Sequence, residues 1–232
     1  MVSCDSVAGT GLSGSASLSS QKVGANMKKA LILTAALITG FGAVAYWAGP
    51  HLAILQVAVP DFPAEGLILD IGGGGEGVIG QIKGKQVVAI DLIKRELEDA
   101  PGEPLIKIVM DARDLKFLDK TFATTTVFFT FMYIKPADHE NVLQEIHRVL
   151  KPGGRLLIWD VVFPVGESDE RQLLAFLHIK LPAKHINTGY GARFVEGQSA
   201  EHFIELGKRI GFDLASRKDN RGWFFVELKK RP

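Results

Sequence analysis

A run of glycines flanked by two acids is the part of this 232-residue chain whose residue types most clearly suggest chemistry. Residues 67–77 read LILDIGGGGEG: an apolar stretch, then Asp70, then a glycine-rich loop that contains Glu76. Glycine has no Cβ atom and tolerates positive φ, so such a loop lets backbone come close to a nucleotide-like ligand. The spacing of the glycines also satisfies the dinucleotide pattern GxGxxG, so the glycines alone leave two ligand classes open.

The two acids favour a cationic ligand over a pyrophosphate. A pyrophosphate needs bare backbone N–H groups and the positive end of a helix. The carboxylates of Asp70 and Glu76 would repel that group, whereas an ammonium or a sulfonium would be attracted to them. The alternative for Glu76 is that it only points into water at the start of a helix.

Two more acids follow strand-like segments. Asp91 ends the segment 87–90, and a carboxylate there can accept both hydroxyls of a ribose. Asp111, followed by Ala112, closes the next strand, where a carboxylate can accept an adenine amino proton. Each acid could instead cap a turn or a helix. Open α/β sheets bind ligands beyond the carboxyl ends of their strands, so we predict that these acids and Asp70 share one site.

The elements that must position these acids alternate between strand and helix. Strands are predicted at 67–71, 86–90, 105–110, 124–131, 155–162, 213–216 and 223–228. Helices are predicted at 138–150, from Ser168 to about 181, and at 200–210 behind a Ser199 cap. This alternation predicts βαβ units and a parallel sheet that is buried on both faces.

The chain resembles the class I S-adenosylmethionine-dependent methyltransferases, of the methyltransferase type 11 kind, over about 66–162. Residues 69–74 (LDIGGG) resemble the first motif of that family, and Asp91 and Asp111 resemble its ribose and adenine contacts. Residues 145–154 (EIHRVLKPGG) resemble the helix and turn before its fifth strand. The resemblance implies an α/β fold: a Rossmann-like, doubly wound, mostly parallel seven-stranded sheet whose last pair contains an antiparallel strand.

The resemblance also implies the cofactor, S-adenosyl-L-methionine. The residues that would bind it are Asp70, Gly72, Gly73, Gly74, Asp91, Asp111 and Ala112. Tyr133 follows the fourth strand and is the candidate catalytic residue facing the acceptor, although it could only pack over the cofactor. His185 and Tyr190, in the insertion after the fifth strand, are candidate acceptor contacts, and His178 is expected to pack on the helix from Ser168.

Composition excludes some classes of function. The formal net charge is +1, which is not the basic balance of a nucleic-acid-binding protein. Cys4 is the only cysteine, so no disulfide can form within one chain. No His, Asp or Glu residues have metal-ligand spacing, and we therefore expect a metal-independent enzyme.

The N-terminal part has a different character. Residues 1–26 are rich in Ser, Gly and Ala and are predicted to be a disordered leader, and 27–60 is predicted to be an apolar anchor or hairpin before a domain at 61–232. Within it, 30–49 holds twenty residues without a charge, enough for a helix to cross a ~30 Å hydrocarbon core. A cleaved secretory signal or a helix buried in, or lying on, the domain are the alternatives.

The charge bias around this segment conflicts with the expected cofactor. Lys28 and Lys29 precede it and no Lys or Arg follows before Lys83, which favours the N-terminus inside and the domain outside. S-adenosylmethionine, by the resemblance, is cytosolic. A hairpin turning at residues 49 and 50 would resolve the conflict, and we expect a membrane-associated chain whose catalytic domain is cytoplasmic.

The leading hypothesis is therefore a methyltransferase acting on a small-molecule or lipid-like acceptor. One alternative is an NAD(P)-dependent Rossmann oxidoreductase, because the glycine spacing fits both cofactors. Another is a non-catalytic, membrane-tethered module that binds S-adenosylmethionine. The sequence identifies neither the acceptor nor the oligomeric state.

Overall fold

The structure is a computed structural model, and it describes residues 51–163, 171–194 and 196–232. The strands of this part are β1 (His51–Ala58), β2 (Ile68–Ile71), β3 (Val87–Asp91), β4 (Ile106–Val109), β5 (Phe122–Phe128), β6 (Leu150–Val161), β7 (Arg171–Lys180), β8 (His185–Phe194), β9 (Phe212–Asn220) and β10 (Trp223–Lys230). Its helices are α1 (Val78–Lys83), α2 (Lys94–Asp99), α3 (Pro136–Val149) and α4 (Ala200–Ile210).

The larger sheet has seven strands in the order β4-β3-β2-β5-β6-β10-β9. The pairs from β4 through β6 are parallel, and β10 runs antiparallel to both β6 and β9. Strand β2 is buried at every position, as expected for a central parallel strand covered on both faces. The predicted sheet is confirmed in its strand number, its mostly parallel character and its antiparallel last pair.

The two longer helices begin and end where local sequence signals place them. On α3, Val142, Leu143 and Ile146 are fully buried at helical spacing. On α4, the Ser199 side chain accepts from the His202 N–H at 3.5 Å, and Gly211, with φ at 125°, follows the last turn.

The Lys-Pro-Gly-Gly segment after α3 is not a separate turn. It lies inside β6, where Leu150 pairs with Phe122 and Arg155 pairs with Thr124, so the ladder shifts register across it. Gly153 has φ at 71° within this irregular stretch. The segment therefore acts as a bulge that redirects the strand entering the sheet.

A second sheet has three strands, with β7 between parallel β1 and antiparallel β8. The helix predicted from Ser168 to about 181 is therefore wrong over 171–180, and His178 lies on a strand, exposed to solvent. Buried residues of β7 alternate with exposed residues, as in a strand, but the exposed positions include the apolar Leu174 and Phe176. Because both faces of the strand carry apolar side chains, the sequence lacks the alternation of a strand and resembles a helix. Residues 51–58, predicted within the anchor or hairpin, form β1 of this sheet.

The predicted leader, the uncharged segment 30–49, the N-terminal apolar helix and Ser168 lie outside the described residues. Among the helices that the structure does describe, none combines the length and the apolar character needed to cross a bilayer.

Candidate active site

The glycine loop between β2 and α1 is packed so closely that side chains would not fit. Gly72 has φ at 71°, and a Cβ atom built on it would lie 2.1 Å from Thr130 Oγ1. That hydroxyl donates to the carbonyls of Phe128, at 3.1 Å, and Ile71, at 3.2 Å, which fixes it over the loop. A Cβ atom on Gly74 would lie 2.7 Å from Asp91 Oδ2. The loop thus fits against both β3 and the residues after β5.

Asp70 lies buried beneath this loop, packed against Gly73. It is 2% exposed, Thr126 Oγ1 donates to its Oδ1 at 2.7 Å, and its Oδ2 is 2.7 Å from the place of a Cβ on Gly73. Burial raises the pKa of Asp70 to about 7, and the Asp91 charge adds to the rise. These contacts support the loop from below, and the predicted contact of Asp70 and Gly73 with the cofactor stays a prediction.

The backbone donors of the loop are largely used within the protein. The Gly73 N–H donates to the Ile90 carbonyl at 2.9 Å, and the Gly75 N–H donates to the Glu96 carbonyl at 3.0 Å. A pyrophosphate site needs such N–H groups free to face the ligand. The loop therefore suits a ligand that does not place a pyrophosphate on this backbone, which argues against a dinucleotide.

Asp91 lies at the carboxyl end of β3, on the wall of the cavity above the loop. Its Oδ1 accepts from the Ile93 N–H at 2.9 Å, so this oxygen caps the turn into α2. Its Oδ2 lies beside Gly74. The capping and ligand-binding interpretations of this acid are thus compatible, because each uses a different oxygen.

Asp111 is held by a neighbour that the sequence pattern did not single out. Arg113 donates to it from its backbone N–H at 2.9 Å, from Nε at 3.0 Å and from Nη2 at 2.7 Å. These bonds hold the pKa of Asp111 below its usual range. Much of its acceptor capacity is already used, so adenine would meet an Asp111–Arg113 pair rather than a free carboxylate.

A cavity of about 700 Å³ opens above the glycine loop, at the carboxyl ends of the parallel strands. We call it the donor cavity. Apolar side chains line the part near Asp111, and acids line the part near the loop. Its lining includes Gly72, Gly74, Glu76, Asp91, Leu92, Ile93, Glu96, Met110, Asp111, Ala112, Phe129, Tyr133 and Tyr190.

Glu76 joins the glycine loop to the three-stranded sheet. The hydroxyls of Thr188 and Tyr190, both on β8, donate to its two carboxylate oxygens. Burial and the nearby Glu76 charge raise the pKa of Tyr190. Glu76 therefore does not point into water, and the predicted acceptor contact Tyr190 lies on the donor cavity.

A second cavity of about 490 Å³ adjoins the donor cavity, and Tyr133 lines both. Its wall is largely apolar, with basic and amide groups at its edge. The lining residues are Met132, Tyr133, Ile134, Lys135, Pro136, Ala137, Phe163, Gly191, Ala192, Arg193, Glu196 and Gln198. We call it the second cavity.

Tyr133 stays protonated at neutral pH. It is 56% exposed, and partial burial of the phenol, with the charges of Asp160 and Glu76, raises its pKa to about 12. A neutral phenol can donate a hydrogen bond, but it is a poor general base. The structure therefore favours an orienting role at the junction of the two cavities.

Asp160 supports the turn that carries Tyr133, and the sequence pattern did not single it out. It is fully buried at the end of β6, where Oδ2 accepts from the Phe131 N–H at 2.8 Å. Its Oδ1 accepts from the Val161 N–H at 2.8 Å and from Gln198 Nε2 at 3.0 Å. Burial raises the pKa of this carboxyl to about 7.

This raised pKa predicts a pH dependence of stability. Protonation of Asp160 is favoured in the folded state, so its contribution is present near pH 4 and is lost as pH rises through about 7. We compare the free energy of unfolding of the parent with that of Asp160→Asn. The parent's value relative to the variant's should fall by roughly 2–4 kcal/mol as pH rises from about 4 to 8, at 1.36 kcal/mol per pKa unit. Urea unfolding of both proteins from pH 4 to 8 measures it, with exposed Asp99→Asn as control. A difference that grows with pH would contradict it.

The candidate acceptor contact His185 lines neither of the two cavities, and His178, which was expected to pack on a helix, lies on a strand. His185 is exposed at the start of β8, and His178 pairs with Asn187 Oδ1 at 2.7 Å on the same outer face. Residues that the sequence did not indicate are Thr130, Glu96, Asp160 and Phe129, the last with φ at 50°. No group of three metal-ligating side chains occurs within the described ranges, and metal independence stays a prediction.

The donor cavity fits S-adenosylmethionine by chemistry. At Gly72 and Gly74 a side chain would fill space that the backbone leaves open to a ligand. Asp91 presents an oxygen that can accept from ribose hydroxyls. Leu92 and Met110 give apolar surfaces for the adenine base. Glu76 and Glu96 place negative charge where an ammonium or sulfonium would be stabilised.

Comparisons with known proteins agree with this fit. A family model described as a methyltransferase domain matches residues 69–158. The ubiquinone/menaquinone biosynthesis C-methyltransferase UbiE of Desulfotalea psychrophila is 30% identical over 173 residues, covering 67% of this chain and 69% of that protein. The demethylmenaquinone methyltransferase of Thermus thermophilus is 37% identical over 81 residues, or 32% of this chain and 36% of that protein.

Solved structures share the fold at low sequence identity. A methyltransferase from Methanosarcina mazei superposes with a TM-score of 0.51 at 18% identity, covering 73% of this chain and 94% of its own. One from Listeria monocytogenes gives a TM-score of 0.52 at 13% identity, covering 73% and 91%. Both are described as S-adenosylmethionine-dependent.

Proposed function

Because this chain belongs to the class I S-adenosylmethionine-dependent methyltransferases, we propose that it methylates a ring carbon of a lipid-like hydroquinone held in the second cavity. Its methyl donor is S-adenosylmethionine, bound in the donor cavity. The observation that carries the proposal is a largely apolar cavity that adjoins the donor site at Tyr133. The quinone-related names of the two relatives favour this acceptor class over a polar one.

The chemistry requires mainly positioning. S-adenosylmethionine supplies a methyl group that is already activated by a sulfonium. In-line transfer to the ring carbon would break the bond from the methyl carbon to sulfur, leave a neutral thioether, and release the ring hydrogen as a proton to solvent. Transfer therefore depends on holding the acceptor carbon close to the methyl carbon, with the described residues supplying orientation rather than a strong base. Apolar walls at Met132 and Phe163 suit an aromatic ring, and Tyr133 can hydrogen-bond to one of its oxygens.

The acceptor class can be tested with a matched pair of substrates. We expect the purified chain to transfer a labelled methyl group to a hydroquinone with a free ring carbon beside a hydroxyl. The same hydroquinone already methylated at that carbon should receive none. Product mass and label position, read by mass spectrometry, check this. Transfer to oxygen in both compounds would contradict C-methylation, and transfer to neither would contradict the acceptor class.

Tyr133→Phe should slow transfer without weakening donor binding. Loss of one hydrogen bond to the acceptor is expected to lower kcat about tenfold, from ~1.4 kcal/mol of lost stabilisation. Tyr190→Phe is the matched comparison: it removes a donor to Glu76 in the donor cavity, so it should raise the KM for S-adenosylmethionine instead. Steady-state kinetics on both variants measure the split. An unchanged kcat in Tyr133→Phe would leave this residue only a packing role.

A further inference from the structure

The outer face of the three-stranded sheet carries a block of exposed apolar side chains. Leu52 and Ile54 on β1 are 68% and 72% exposed, and Leu174 and Phe176 on β7 are 40% and 49% exposed. Leu52 pairs with Leu174, and Ile54 pairs with Phe176, so the four are direct cross-strand neighbours. We call these four residues the outer patch.

The outer patch cannot be buried by a rotation of the sheet, because the opposite face of the sheet already packs on the core. The inner face of the same strands is buried in the core through Leu55, Val57, Leu177 and Ile179. In addition, β1 pairs with β7 on one edge, and its other edge has no partner strand within residues 51–163, 171–194 and 196–232. A long, apolar edge strand exposed to water favours aggregation unless something covers it.

Two features favour a lipid bilayer as the partner that covers the outer patch. The uncharged segment 30–49, of a length that matches a hydrocarbon core, ends only three residues before Leu52 in the sequence. Beyond the patch, the same face becomes basic: Lys180 is exposed on it and exposed Lys184 follows in the turn. Apolar side chains bordered by cations are typical of surfaces that lie at the headgroup boundary of anionic lipid.

We propose that the outer patch lies against an anionic lipid bilayer, with its four side chains at the boundary of headgroups and acyl chains. The surface is separated from the cavities by very little protein. Gly189 and Gly191, the β8 partners of Phe176 and Leu174, line the donor and second cavities respectively. At these positions the wall is one strand of backbone without side chains. A lipid-like acceptor bound in the second cavity would therefore lie close to the membrane surface, and that consequence rests on the proposed function.

The proposal is tested on the full chain by a depth measurement that needs no turnover. Cys4 is the only cysteine, so a Cys4→Ser background accepts one fluorescent label at Ile54→Cys or Phe176→Cys. Leu118→Cys, at a position 84% exposed and outside this sheet, is the matched control. The vesicles contain phosphatidylcholine and phosphatidylglycerol, and nitroxides on their acyl chains quench a label that enters the bilayer. Iodide in the buffer quenches a label that stays open to water.

We expect acyl-chain nitroxides to quench labels 54 and 176 at least about twofold more than label 118, since an interfacial apolar face is buried ~5–10 Å. Labels 54 and 176 should also be protected from iodide. The proposal is overturned if the chain binds vesicles while these labels stay open to iodide, or if it does not bind. It is also overturned if the labels are buried without vesicles, by a segment of the monomer or by a second copy in a dimer. A failed methyl-transfer assay leaves this readout unchanged.

Discussion

Gly72→Ala should remove S-adenosylmethionine binding, with a loss of affinity of at least about 100-fold, or ~2.7 kcal/mol. The new Cβ would lie 2.1 Å from Thr130 Oγ1, so either the loop or the Thr130 side chain must move. The backbone φ of 71° adds strain of about 1–2 kcal/mol for a residue with a Cβ. Calorimetric titration with S-adenosylmethionine measures the loss.

A second variant separates a damaged site from a damaged fold. Gly74→Ala places its Cβ 2.6 Å from Glu96 Cβ and 2.7 Å from Asp91 Oδ2, without a left-handed backbone, so we expect weak binding in a folded protein. Gly80→Ala, on α1, is the control: nothing lies closer than 3.8 Å to its Cβ. It should bind normally and gain roughly 0.5–1 kcal/mol of stability. Parent-like binding by Gly72→Ala would contradict the loop's role.

Asp91→Ala should have the second largest effect on the donor site. A carboxylate that accepts ribose hydroxyls contributes ~1.5–3 kcal/mol for each charged hydrogen bond, so its removal should weaken binding about 100-fold. Asp91→Asn retains an oxygen that can accept from the Ile93 N–H in the turn before α2, and should lose about tenfold in affinity. The same titrations, with circular dichroism to check folding, measure both effects.

Asp99→Ala is the matched control for Asp91. Asp99 lies on α2, has a side chain that is 68% exposed, and pairs with Arg95 on the surface, a kind of pair that contributes little. It should bind S-adenosylmethionine like the parent. If Asp91→Ala also binds like the parent, the ribose does not contact this acid and the orientation of the cofactor must be different.

The sheet and the donor loop could be predicted because their signals are contiguous in the sequence. A buried strand, its acid and the glycines that follow lie within eleven residues, so the role of each can be inferred from the residues next to it in the sequence. Asp91 ends β3 and Asp111 follows the end of the neighbouring β4 by two residues, so strand topology alone brings them to one edge. Helix α4 was also predictable, because Ser199 and Gly211 mark its ends.

The strand structure of the insertion that covers the site, and its bond to the glycine loop, could not be predicted, since both depend on contacts between distant segments. Glu76 and Tyr190 meet across 114 residues, and neither local pattern indicates the other. Asp160 gains its role only because β6 passes beside the turn at Phe131. Strand β7 has apolar residues on both of its faces, so its own sequence fits a strand or a helix. Its pairing with β8, which is distant information, makes it a strand.

The most direct test of the account is methyl transfer from S-adenosylmethionine carrying a deuterated methyl group, with the full chain in the presence of a membrane lipid extract. We predict a product in the organic phase that gains one deuterated methyl on a ring carbon, and no such product with Gly72→Ala. Mass spectrometry with fragmentation identifies the labelled atom. Label found only in water-soluble compounds, or no labelled product from a chain that binds S-adenosylmethionine, would contradict the account.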